Sequence, residues 1–178
     1  MRIVRCITLW QPWASLVGLK KNETRHWSTQ WRGWLAIHAA QRPVVGAEVE
    51  VIYEAVRCQN TDPKLIQQLD QVLGDYLAKG EGLPLGQIVT LTKLVDCLEM
   101  WDSTVYGPLM PPDRRGIDIA SVDPLEKAVG NWQEGRFAWK FDDFISLPTP
   151  IPAQGRQRLW PPTMDVTEQL NTVMGSRA

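Results

Sequence analysis

The 178-residue chain has the length of one folded unit, and its 44% hydrophobic and 22% charged residues match ordinary globular proteins, which excludes a disordered or fibrous class. A formal net charge of −1 argues against a protein that coats nucleic acid by bulk attraction. No apolar run reaches the roughly 18 residues that cross a bilayer, and no signal-peptide core is present, so a cytoplasmic location without membrane contact is expected.

Residues 2–9 place Ile3, Cys6 and Thr8 among basic residues in the manner of a strand. Pro12 suits a first helical turn, residues 12–17 are apolar and helix-compatible, and Gly18 offers the left-handed conformation that closes a short helix. Residues 20–25 then read as an exposed loop. Residues 34–39, apolar and preceded by Gly33, form a short buried strand, and Val45, Val49, Ile52 and Val56 trace a helical face over residues 45–57.

Asp62-Pro63 is a cap followed by a first-turn proline, and Leu65, Ile66, Leu69, Val72, Leu73 and Tyr76 give the following helix one apolar side until Gly80 ends it. Residues 87–98, rich in Val, Ile, Leu and Thr, read as a long central strand. Four prolines in residues 108–124 and the Asp113-Arg114-Arg115-Gly116 turn make that stretch an irregular excursion. Phe137, Trp139 and Phe141 alternate with polar residues in a half-buried strand; the proline-rich residues 148–160 cross one end of the fold, and residues 165–174 form a terminal helix. Short strands with helices inserted between them indicate an α+β, barrel-like domain.

Charge is concentrated at the front. The first 43 residues hold seven bases (Arg2, Arg5, Lys20, Lys21, Arg25, Arg32, Arg42) against Glu23 alone, a local charge of +6, and five of the nine tryptophans (Trp10, Trp13, Trp27, Trp31, Trp34). Aromatics interleaved with cations suit nucleobase stacking; the alternative is that the indoles fill a small core. Gly18 permits close backbone approach, Lys20 is a flexible point charge, and Arg25 is a planar fork for phosphate. Glu23 can orient the cations or accept from a base amino group; alternatively, Glu23 and Arg25 simply close the fold as an ion pair. Arg156 and Arg158 extend the positive track if their segment folds back. His38, within an apolar strand, reads as a hydrogen-bonded core histidine, whereas His26 can contact phosphate. Cys6, Cys58 and Cys97, odd in number and without CxxC spacing, read as reduced core thiols, and neither a metal nor a cofactor is expected.

Three runs carry a family resemblance: Trp10-Gln11-Pro12-Trp13-Ala14-Ser15-Leu16, Gly18-Leu19-Lys20-Lys21-Asn22-Glu23-Thr24-Arg25-His26-Trp27, and Thr29-Gln30-Trp31-Arg32-Gly33-Trp34-Leu35-Ala36-Ile37-His38-Ala39-Ala40. They resemble the ASCH family, whose GxKxxExR pattern is met by Gly18, Lys20, Glu23 and Arg25, and in particular the branch that includes the C-terminal domain of a eukaryotic transcription coactivator. Gly135-Arg136-Phe137-Ala138-Trp139 and Gly155-Arg156-Gln157-Arg158-Leu159-Trp160 resemble the family's closing strand and terminal segment. The resemblance implies an α+β, PUA-like β-barrel of five to six strands over residues 1–160, with a helical insertion near 44–80 and an extension over 161–178, helical or mobile.

The resemblance further implies RNA or modified-nucleotide binding, with DNA also possible, in a basic, Trp-rich cleft between the first helix and the barrel. The expected binding set is Gln11, Trp13, Ser15, Gly18, Lys20, Glu23, Arg25, Trp27, Arg32, Arg156 and Arg158. The family also admits enzymes. One short bacterial branch hydrolyses the acetyl amide of N4-acetylcytidine with a lysine, a threonine three residues later, and a carboxylate; other members are described as ribonucleases. Lys20 matches that lysine here, but Glu23 occupies the threonine position and Thr24 is displaced by one, so Lys20 and Glu23 would be the catalytic pair.

Overall fold

The computed structural model describes residues 2–59, 62–106 and 116–176. The elements run β1 (Val4–Leu9), α1 (Trp13–Leu16), a 3-10 turn (Val17–Leu19), β2 (Glu23–Arg25), β3 (Gly33–Ala39), α2 (Gly46–Gln59), α3 (Pro63–Lys79), β4 (Gln87–Trp101), α4 (Ser103–Tyr106), β5 (Gly116–Asp118), α5 (Pro124–Val129), β6 (Phe137–Pro152), β7 (Leu159–Trp160) and α6 (Met164–Gly175). The fold is α+β. Its mixed seven-stranded sheet follows the order β2-β6-β4-β3-β1-β7, with β5 alongside the end of β4, and curls into a half-barrel, against the expected five to six strands. β1 and β3 are parallel, while β3, β4, β6 and β2 pair antiparallel in turn.

The long β4–β6 pair causes the curl. Its register shifts three times, between Ile88 and Thr90, Leu91 and Lys93, and Leu94 and Asp96. Each bulge bends its strand and increases local twist. Side-chain alternation then separates two layers: Val4, Cys6 and Ala36 join one buried cluster, and Ile7, Leu9, Leu35 and Ile37 join the other. α6 closes the first layer with Val166, Leu170 and Met174, so the terminal extension is part of the core. α2, α3 and α5 form a third cluster with Leu16.

α3 follows its sequence signals: Asp62 accepts from Lys64 N, Pro63 fills the first turn, and Gly80 ends the helix at φ 73°. Four expectations change. First, the proline-rich tail of residues 148–152 is strand. Ala153 N donates to Gly86 O, so the missing donor of the adjacent Pro152 faces away from β4. Pro148 and Pro150 fall within the register shift between the pairs Ile88–Ile151 and Thr90–Ser146, an irregularity of the kind that admits proline in a strand.

Second, the excursion is regular in its later part: residues 107–115, including Asp113-Arg114-Arg115, lie outside the described residues, but β5, a 3-10 turn and α5 follow. Asp123 accepts from Glu126 N and Pro124 fills the first turn, repeating the Asp-Pro signature of α3. Third, the cysteines differ: Cys6 is buried and its thiol pushed up to about 12 by burial, Cys97 is half-buried, and Cys58 is exposed on α2. The fourth change lies in the motif. No helix among the described residues is long and apolar enough to cross a membrane.

Candidate functional site

α1 continues through the 3-10 turn past Gly18, and the left-handed residue that ends it is Lys20, at φ 66°. Gly18 instead packs against the sheet, where an added Cβ would stand 3.4 Å from Ser146 Oγ. Two consequences follow. Lys20 projects into solvent, and the expected loop of residues 20–25 becomes a buried turn followed by β2, with Lys21, Glu23 and Thr24 all buried. β2 is fixed by pairing Glu23, Thr24 and Arg25 with Trp139, Ala138 and Phe137.

Glu23 sits between two cations. Lys21 Nζ lies 3.1 Å from Glu23 Oε2 and also donates to Asn22 O at 3.0 Å, while Arg25 Nε lies 3.3 Å from Glu23 Oε1. Arg25 Nη2 reaches Thr8 O at 3.4 Å. The ion pair that sequence reading offered as an alternative therefore exists, but it borders a cavity of about 480 Å³. Trp10, Trp13, Leu9 and Ile52 supply the cavity's apolar lining, and Thr24, Asn131 and Arg136 complete the polar side. Arg136 is fixed by donation from Nε to Asn131 O at 3.0 Å and from Nη2 to Thr24 O at 3.3 Å, and its guanidinium carries further donors beyond these two. Among the described residues, one carboxylate against three cations leaves the cavity lining positive.

The turn is anchored from behind by Glu126 of α5. Its Oε1 accepts from Asn22 N at 2.7 Å and from Asn22 Nδ2 at 2.9 Å, and Phe141 N donates to Asn22 Oδ1 at 3.2 Å. Glu126 Oε2 is buried without a hydrogen-bond partner among the described residues. Burial pushes the Glu126 carboxyl up to about 7, against the pull of the Asn22 hydrogen bonds and the Lys21 charge.

A second hollow of about 850 Å³ meets the first at Thr8, Trp10 and Arg25. Trp27, Arg156 and Arg158 line it, with His26 and His38. Trp27 stands edge-on to Trp139, with ring centroids 4.7 Å apart. His38 is a buried core histidine, as expected: Nε2 lies 3.0 Å from Ala153 O, and burial lowers its proton affinity, so the neutral ring donates there.

Of the sequence-predicted set, the structure thus brings Trp13, Glu23, Arg25, Trp27, Arg156 and Arg158 to the two joined hollows. Lys20 and Arg32 line neither. Arg32 is held by Asp96 at 3.0 Å and by the carbonyls of Thr29 and Trp31. Gln11 is a buried latch, donating to Ser15 Oγ and Pro84 O, and Ser15 and Gly18 border a separate hollow beside α3. The basic, aromatic segment is also divided. Arg2 lies over Trp34 and Arg5 over Trp31, away from the hollows, whereas Arg42 lies 4.0 Å from the ring centroid of the exposed Trp10 at their rim.

Sequence reading missed Lys21, Thr24, Trp10 and Arg136 as site residues. The doubled lysine was the signal for the first: only the helix overrun decides which of the two turns inward. No protein-family model matches this chain, and neither does any curated protein.

Proposed function

We propose that the paired hollows bind RNA or a modified nucleotide, with one nucleobase in the smaller cavity. The observation that carries this reading is the joining of two indoles, Trp10 and Trp13, with Lys21, Arg25 and Arg136 around one carboxylate in about 480 Å³. That volume falls within the usual range for small-molecule sites, and the lining suits a flat apolar ring bearing an anionic group. Glu23 can accept from a base amino group and Arg25 can fork a phosphate. On this reading the chain is an ASCH-type domain with a PUA-like barrel, in which Lys21 takes the binding role expected of Lys20. Titration with single-stranded RNA tests it. Arg25→Ala and Trp13→Ala should each weaken binding by about tenfold; binding equal to the parent in both variants would refute the reading.

A second reading, hydrolysis of an acylated nucleoside such as N4-acetylcytidine, is favoured by one feature. Lys21 and Thr24, three residues apart, border the same cavity as the Glu23 carboxylate. Thr24 Oγ1 accepts from Asn131 N at 3.0 Å and so keeps its own proton to donate. Water would add to the acetyl carbon and the C–N bond would break, releasing acetate and cytidine. Chromatography after incubation with N4-acetylcytidine decides: cytidine formed by the parent and lost in Thr24→Val supports catalysis, and no cytidine from the parent rejects it.

A further inference from the structure

The larger hollow has a lining unlike that of the rest of the molecule. In a chain of net charge −1 its lining among the described residues contains three arginines, Arg25, Arg156 and Arg158, and not one carboxylate. Arg156 and Arg158 form no ion pair among the described residues, so their charge is not cancelled locally. Arg158 lies 6.0 Å from the ring centroid of Trp27, which gives the hollow an aromatic face of its own.

The segment that carries these cations is a clamped rail. His38 holds the carbonyl of Ala153 at its start, Thr8 Oγ1 donates to Arg156 O at 2.9 Å in its middle, and β7 pairs with β1 at its end. Trp160 Nε1 in turn donates to Thr8 Oγ1 at 3.2 Å. Gly155 lets the backbone lie directly on His38, since a Cβ there would stand 2.4 Å from His38 Cε1. With the backbone fixed from below, the side chains of Arg156 and Arg158 remain exposed. Presenting charges on an already ordered backbone reduces the ordering cost of binding an extended anion.

Resting on the nucleotide reading of the smaller cavity, we propose that the ligand is a single-stranded oligonucleotide and that the larger hollow is the site of its next nucleotides. A base occupies the cavity beside Trp13, the phosphodiester crosses at Arg25, where the two hollows meet, and the strand continues along Arg156 and Arg158 with its next base against Trp27. A free nucleoside or mononucleotide would fill only half of this site.

The test compares CMP, CTP and an RNA pentamer of cytidylate by titration against the parent and an Arg156→Ala/Arg158→Ala double variant. The pentamer should bind the parent on the order of tenfold tighter than CMP, and the double variant should bring the two within about twofold by weakening the pentamer more than CMP. The log–log salt slope for the pentamer should fall by about 1.4, at about 0.7 per phosphate contact. A pentamer no tighter than CMP would overturn this inference and leave the nucleotide reading standing, as would CTP gaining as much as the pentamer, because charge rather than a strand would then explain the gain. Binding of none of the three would overturn both.

Discussion

Glu126 makes the anchoring of the motif turn measurable. Its carboxyl lies near 7 in the folded protein against an ordinary 4.5, because burial disfavours the charged form. Between these values the folded chain holds a proton that the unfolded chain has released. Stability from this group is therefore greatest below about pH 4.5, falls as pH rises, and reaches its full loss above about pH 7. At about 1.4 kcal/mol per unit, the loss totals roughly 3 kcal/mol, of which about 2–3 kcal/mol falls between pH 5 and 8. Lys21 lowers the proton affinity and Asp123 raises it, so both charges are already part of that balance. Glu126→Gln keeps an oxygen for Asn22 but cannot ionise. Urea unfolding followed by tryptophan fluorescence should therefore find the variant gaining about 2–3 kcal/mol on the parent from pH 5 to pH 8. All other titrating groups cancel in that difference. Parallel stability curves for the two proteins across this range would refute the buried, strained carboxylate.

The two lysines give a sharper contrast. Lys21→Met should destabilise by about 3 kcal/mol, because it strips one partner from the buried Glu23, while Lys20→Met should stay within about 0.5 kcal/mol; chemical denaturation measures both. Asp123→Ala should cost about 1 kcal/mol by removing the cap of α5, read from the same curves. Gly155→Ala should cost about 1–3 kcal/mol through its overlap with His38, and it should lower oligonucleotide affinity more than mononucleotide affinity, as paired titrations would report.

Much of the secondary structure could be read from local signals. Asp62-Pro63 with Gly80 bounded α3, alternation marked the start of β6, and β-branched residues marked β4, because each of these signals is a property of consecutive residues. α5 carried the same Asp-Pro signal, but the surrounding prolines hid it. The strand through Pro148, Pro150 and Pro152 had no such local signal. It is tolerated because Pro148 and Pro150 sit in a register shift of the β4–β6 ladder and Pro152 turns its missing donor away from β4, which are facts about strand pairing.

The sequence by itself determined that the first 43 residues would concentrate cations and indoles around a single acid, and that an α+β domain would carry them. Only the tertiary structure decided which of them meet. A left-handed Lys20 sends that side chain outward and Lys21 inward, Asp96 takes Arg32 away from the hollows, and the clamped rail brings Arg156 and Arg158, more than a hundred residues distant, beside Arg25. The physical reason is that charge and aromatic content are additive along a chain. Which side chains share one cavity depends on backbone dihedrals and strand pairing set by the whole core.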